Sequence, residues 1–176
     1  MAQPSKGRRS NAARTLAAGR SQIRGVRLLN VVDGHLVAPV ESQGFIIDNS
    51  VLQKLSRSSS IYRRFDEITS RYPIFTCPAQ VLEYCYSARN AAEYAELRAD
   101  IDLYTPAPIV PEQSAILDLQ QALWDGGKMR AAGPVDTIIA AYAIANDLTV
   151  LCSDHDFEHI ASVLDVGVLK VEYLPE

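Results

Sequence analysis

From Gly44 onward, apolar and polar positions fall into blocks that change period. "FIID" at 45–48 is an apolar run stopped by a carboxylate, the pattern of a short buried strand. An amphipathic stretch predicts a helix from about Ser50 to Leu55, and a second is expected from about Ile61 to Ser70. "YPIFTCP" reads as a short extended piece, and Pro78 suits the first turn of a helix over "AQVLEYCYSARN". "AAEYAELRADIDLY" is helical by pattern, whereas the proline-rich "TPAPIVP" must be extended. "EQSAILDLQQALWDGG" predicts a helix stopped by Gly126 and Gly127. After the loop "KMRAAG", Pro134 opens the helix "VDTIIAAYAIAND". A β-branched strand "LTVLCS", a helix "FEHIASVL" and a closing strand "VLKVEYL" follow. Strands separated by helices need crossover connections. The pattern therefore predicts an α/β fold with a parallel sheet covered on both faces.

Composition adds one asymmetry. The 176 residues are 48% hydrophobic and 22% charged, which suits one globular domain with or without a tail. Seven of the 17 basic residues but only Asp33 among the 21 acidic ones fall within residues 1–40. Residues 1–43 read as a basic extension and 44–176 as the folded domain. The extension is either a solvated tail, an upstream start that the natural protein lacks (Val40 stands where a start residue would lie), or an arm that touches nucleic acid. The acidic remainder does not draw nucleic acid through its overall field, so RNA binding would need local basic patches or bridging cations. Cys77, Cys85 and Cys152 are odd in number and set in apolar contexts, as expected of free thiols in a reducing cytoplasm. No run is long enough to span a bilayer, and the basic start lacks the apolar region of a secretory signal.

Ligands of open parallel sheets bind outside the carboxyl ends of the strands. Asp48 ends the first strand, Asp154 follows "LTVLC", and Asp136 lies in the first turn behind Pro134. Each also has an ordinary reading. Asp48 caps the next helix, Asp136 complements a helix dipole, and one of Asp154 and Asp156 caps the helix at Phe157. The cap is assigned here to Asp156, which leaves Asp154 facing the sheet edge. Glu83 sits at the margin of an apolar face made by Pro78, Val81, Leu82, Cys85 and Tyr86, and periodicity alone makes it a solvated glutamate. Three acids on one rim cannot all stay ionised without a counter-charge, and a hard divalent cation with oxygen ligands supplies one.

"FIIDNSVL", "CPAQVLEYCYSAR" and "GPVDTIIAAYAIANDLTVLCSDHDFEHIA" resemble, in order and spacing, the PIN-domain ribonucleases, and most of all the VapC-type toxins of bacterial toxin–antitoxin pairs. The likeness covers roughly residues 44–175, and its third block is the most specific. It implies a three-layer α/β/α sandwich around a central parallel sheet of four or five strands. It also assigns Asp48, Glu83, Asp136 and Asp154 as the metal-holding acids, which reverses the periodicity reading of Glu83. Ser50 matches the supporting group two residues after the first acid, and Asp156 a possible auxiliary ligand. Asn49 departs from the threonine of many relatives, and a small effect is expected of it.

The resemblance implies Mg²⁺- or Mn²⁺-dependent endoribonucleolytic cleavage of tRNA or rRNA, leaving 5′-phosphate and 3′-hydroxyl ends. It further implies a homodimer and a cognate antitoxin. Lys128 and Arg130, just before Asp136, are candidate phosphate contacts. Arg63, Arg64 and Lys54 are candidates for RNA or for an acidic antitoxin segment. Trp124, Tyr84 and Tyr86 stack on bases or, as aromatics on apolar helix faces usually do, belong to the core. A haloacid-dehalogenase-type phosphatase would need an acid where Ser50 stands. A receiver-like phosphoacceptor fits poorly. An RNA-processing nuclease without an antitoxin, and a PIN-like module that binds without cutting, are the remaining alternatives.

Overall fold

The computed structural model describes residues 44–176 and, before them, a two-stranded antiparallel hairpin of β1 (Asn30–Val32) and β2 (His35–Val37). The reading of residues 1–43 as a basic extension falls, that hairpin apart, outside the described residues. Strand β3 (Phe45–Ile47) leads into α1 (Asn49–Lys54) and α2 (Ser59–Thr69), then β4 (Ile74–Thr76). Helices α3 (Pro78–Tyr86) and α4 (Ala91–Ile101) precede the two-residue β5 (Thr105–Pro106). Helices α5 (Gln113–Asp125) and α6 (Pro134–Ala145) return the chain to β6 (Thr149–Cys152), and α7 (Asp156–Ala161) connects to β7 (Lys170–Tyr173).

The five strands are all parallel, in the order β5-β4-β3-β6-β7. The expected α/β/α sandwich is therefore present, and the side chains show its two halves. Phe45 and Ile47 point into one core with Val51, Ile61, Phe65 and Ile68 of α1 and α2. Ile46, one residue between them, points into the other with Ile139, Ala143, Phe157 and Ile160 of α6 and α7. Val150 and Cys152 share the face of Ile46, while Leu151 shares that of Ile47, as the two-residue period of strands requires. Continuous apolar strands follow from burial on both faces. Among the described residues no helix is long and apolar enough to cross a membrane.

Element boundaries differ from expectation where caps intervene. Helix α2 starts before Ile61 because the Ser58 hydroxyl accepts the Ile61 amide at 3.4 Å. The block expected as one helix to Asn90 ends at Tyr86, because Asn90 caps α4 by accepting the Glu93 amide at 3.0 Å. Gly126 and Gly127 do end α5, with Gly127 at φ +70°.

The chain enters the sheet through Gly44 at φ +149°, where an added Cβ would stand 2.6 Å from the Pro73 carbonyl oxygen and 2.7 Å from the Phe75 ring. Both the conformation and the contact exclude a side chain. Gly44→Ala is expected to destabilise the fold by about 2 kcal/mol or more, read as a lower urea midpoint at unchanged slope.

Candidate metal centre

The chain runs outward from β3 to β5 and then crosses back to place β6 on the other side of β3. This reversal opens a crevice at the carboxyl ends of β3 and β6, the place where open parallel sheets bind ligands. Helices α1, α3 and α7 directly follow parallel strands and so begin at that same edge, and α6, which runs back to the start of β6, begins there as well. Their free amides and dipoles favour anionic side chains.

Asp48 leaves β3 and caps α1, with its Oδ2 accepting the Ser50 amide at 2.7 Å. It is only 4% exposed. Burial pushes its carboxyl upward, hydrogen bonds from Ser50 hold it down, and the Asp154 charge adds to the rise. The Ser50 hydroxyl also accepts the Ser153 amide at 2.9 Å, which ties the ends of β3 and β6 together. Asp136 stands in the first turn of α6, its Oδ2 accepting the amide of the cap residue Gly133 at 2.6 Å. Burial first, then the charges of Asp48, Asp156 and Asp154, drive the Asp136 carboxyl up to about 7. Beneath the crevice Cys152 is pushed up to about 12 by burial and by Asp154 and Asp48, and Cys77 is raised by burial with Asp48 contributing. All three cysteines are buried and free.

Two assignments need correction. Helix α7 starts at Asp156, with His155 in the cap position and no side-chain cap. It is the Asp154 Oδ1 that accepts the Asp156 amide, loosely, at 3.4 Å. Asp156 is consequently no cap; its carboxyl lies within hydrogen-bond reach of Asp136. On α3, Leu82 is 68% and Tyr86 89% exposed, so they form no core face. The polar Gln80 takes the inward position instead, and this turns Glu83 to the exposed side.

Glu83 nevertheless stays at the crevice. Its Oε2 accepts the side-chain amide of Asn49 at 2.6 Å. Asn49, expected to matter little, is buried and also pairs with Gln80. Sequence reasoning did not place Gln80 in the site, and it offered Lys54 only as a contact for RNA or an antitoxin; the Lys54 ammonium donates to the Ser153 carbonyl at 2.8 Å and pairs with Glu176 at 2.9 Å. An amide beside the strand-ending acid and a glutamine three residues before the helix acid were the only signals.

The basic candidates divide. Arg64 is engaged by Glu67 at 3.2 Å and Glu172 at 2.9 Å, and Arg63 is exposed on the same helix. Lys128 and Arg130 line a shallow depression of about 540 Å³ with Trp124, Met129 and His159. His159 lies near enough to Asp156 to act on its carboxyl through space, so the depression borders the acids. Trp124 is 56% exposed, against the core placement expected of it. Leu119 and Leu123 take the buried stripe of α5, and the next residue is turned some 100° away.

Asp48, Asp136, Asp154 and Asp156 thus act on one another through space, with Glu83 tethered beside them. Among the described residues none of these five forms a salt bridge with Lys or Arg. Nor do any three His, Cys, Asp or Glu side chains there stand close enough together, as they are placed, to hold a metal ion between them. An uncompensated all-oxygen donor set fits a hard divalent ion that keeps several waters, such as Mg²⁺, better than a metal needing a closed cage.

The PIN domain family profile matches residues 45–163, and the chain belongs to that family. Ribonuclease VapC6 of Mycobacterium tuberculosis is 30% identical over 103 residues, 57% of this chain and 81% of that protein. Ribonuclease VapC21 of the same organism is 29% identical over 122 residues, 68% of this chain and 87% of that protein. Among crystal structures, VapBC2 from Rickettsia felis bound to a promoter DNA fragment has a TM-score of 0.57 at 15% identity, over 73% of this chain and 97% of that one. DNA-bound VapBC from Salmonella typhimurium has a TM-score of 0.55 at 18% identity, over 74% and 98%. These two share the fold.

Asp136 sets a pH dependence for the metal-free protein. Its carboxyl titrates near 3.8 when unfolded and near 7 when folded, so the folded state holds an extra proton between those values. Stability therefore falls as pH rises through that window, and the penalty is complete above it. In EDTA at pH 8, Asp136→Asn is expected to be more stable than wild type by about 1–2 kcal/mol, a figure discounted for partial solvent access. Thermal unfolding at pH 8 and again below pH 4, where the difference should vanish, checks it.

Proposed function

We propose that this chain is a divalent-metal-dependent endoribonuclease and the toxin half of a VapC-type toxin–antitoxin pair. The observation that carries the reading is the convergence of Asp48, Asp136 and Asp154 at the β3/β6 crevice, with Glu83 held beside them and no basic partner among the described residues. The activities named for the M. tuberculosis relatives agree with it.

Each acid has one oxygen already held by an amide. Ser50 holds Asp48, Gly133 holds Asp136, the Asp156 backbone holds Asp154, and Asn49 holds Glu83. The second oxygens remain available to a ligand, and each amide contact reduces the rotamer freedom that binding would cost. A divalent ion bound there, Mg²⁺ or Mn²⁺, would supply Lewis-acid activation of water and neutralise charge on the departing oxygen. Water attacks phosphorus in line, the bond from phosphorus to the 3′-oxygen breaks, and the products carry a 5′-phosphate and a 3′-hydroxyl. The carboxylates fix the geometry of that displacement; they form no covalent bond with RNA.

RNA needs a grip beside so acidic a crevice. The depression of Trp124, Lys128 and Arg130 offers an indole face for an unpaired base and two cations for phosphates. Loops of tRNA or rRNA present such splayed bases. Beyond the end of α1, a groove of about 440 Å³ of mixed character, with Leu52, Leu55 and Tyr104 beside Arg57, Arg89 and Asp100, offers a seat for the antitoxin. A homodimer and a cytoplasmic setting complete the proposal; the buried free thiols suit the latter.

Incubation of total bacterial RNA with wild type and Asp136→Asn, with Mg²⁺ or EDTA, tests the activity. Discrete 5′-phosphorylated fragments are expected only from wild type with metal, and the variant should be slower by at least about 100-fold, beyond the usual cost of an outer-shell change. Fragments that need neither metal nor Asp136 would sink the reading.

The grip is tested separately. Joint Lys128→Ala and Arg130→Ala substitution should raise KM several-fold, flatten the salt dependence and leave kcat within about twofold. Trp124→Ala should weaken RNA binding by about 1–3 kcal/mol. Steady-state kinetics and filter binding at two salt concentrations read both.

A further inference from the structure

The three aspartates of the crevice are placed by strand ends and helix starts, but Glu83 is on the exposed side of α3. A free glutamate there samples many rotamers, and holding it at one point costs entropy that something must offset. That something is a pair of buried amides. Asn49 Nδ2 donates to Glu83 Oε2 at 2.6 Å and to the Gln80 carbonyl oxygen at 3.1 Å, while Asn49 Oδ1 accepts Gln80 Nε2 at 2.8 Å. Both amide hydrogens and the oxygen are used, so the orientation is determined. Turned over, the Asn49 oxygen would face two acceptors. A threonine at this position could offer only one hydrogen.

Gln80 supports the same conclusion from an independent direction. It is fully buried, yet its Oε1 has no hydrogen-bond partner. An unpaired buried acceptor loses its hydrogen bonds to water without replacement, and an apolar side chain of similar length would fill the space without that loss. What glutamine adds here, and methionine could not, is the Nε2 that aims Asn49.

We propose that Asn49, aimed by Gln80, is a positioning residue that holds Glu83 on the divalent ion of the crevice; this rests on the metal-site reading above. Asn49 acts only through Glu83. Its loss should therefore weaken metal binding when Glu83 is present and do nothing when Glu83 is absent.

The test is a double-mutant cycle on the full chain, with Mn²⁺ binding followed by loss of the free-ion EPR signal. Asn49→Ala is expected to weaken Mn²⁺ binding about tenfold, the usual scale for a group that orients a ligand. In a Glu83→Ala background the same substitution should change affinity by less than about twofold. Gln80→Met, which removes the unpaired acceptor along with the aiming donor, should fold and weaken Mn²⁺ binding by a smaller factor. It keeps the test open if Asn49→Ala does not fold. A folded Asn49→Ala protein with wild-type affinity would overturn the proposal, as would an equal loss in both backgrounds or, where only Gln80→Met folds, its wild-type affinity. A wild type that binds no Mn²⁺ would instead remove the metal-site reading, and this proposal with it.

Discussion

The structure is organised around a carboxylate that cannot move away from the core. Asp48 sits at the end of the central strand, almost without solvent, between two helical layers that both need β3 apolar up to that point. Its cost is met locally by the α1 amides and the Ser50 hydroxyl. That local answer is incomplete, because the reversal of strand order brings Asp136, Asp154 and Asp156 to the same edge. Helix starts soften the repulsion but carry only partial charges. What is left over is a concentration of negative charge that no lysine or arginine among the described residues offsets, and it follows from topology as much as from the four residues themselves.

The crevice has a fixed half and an adjustable half. Asp48, Asp136 and Asp154 belong to elements packed into the core, so their carbon frames move only if the sheet does. Glu83 belongs to a helix whose outward side chains, Leu82 and Tyr86, are open to solvent. A link of two buried amides joins the halves. Buried polar groups of this kind specify an arrangement more than they stabilise it, and the unpaired oxygen of Gln80 is the visible cost.

The fold was legible because its signals are local and repeated. The central strands β3 and β6 are mostly apolar, helices such as α2 and α5 carry a periodic buried face, and prolines and glycines mark the joints. The acids at the ends of β3 and β6 were legible for the same reason, since a strand that stops on a carboxylate is visible in one line of sequence. Glu83 was not, because an exposed helical glutamate looks like any other, and only the family resemblance singled it out. Asn49 and Gln80 escaped because their role lies in a contact between segments thirty-one positions apart. Trp124 and the cap of α7 were misread where one residue of rotation or register decides the outcome. A pattern of seven or eight residues does not resolve a single position.

The strand order carries a last consequence. β3 lies in the middle of the sheet, yet its partner β6 is among the last elements to be synthesised. Asp48 and Glu83 emerge from the ribosome early, while Asp136 and Asp154 arrive only with the closing third of the chain. Long-range parallel pairing is also slow to form. The four acids therefore cannot share one crevice until β6 has paired with β3, so the site is a property of the completed sheet and of no shorter stretch of the chain.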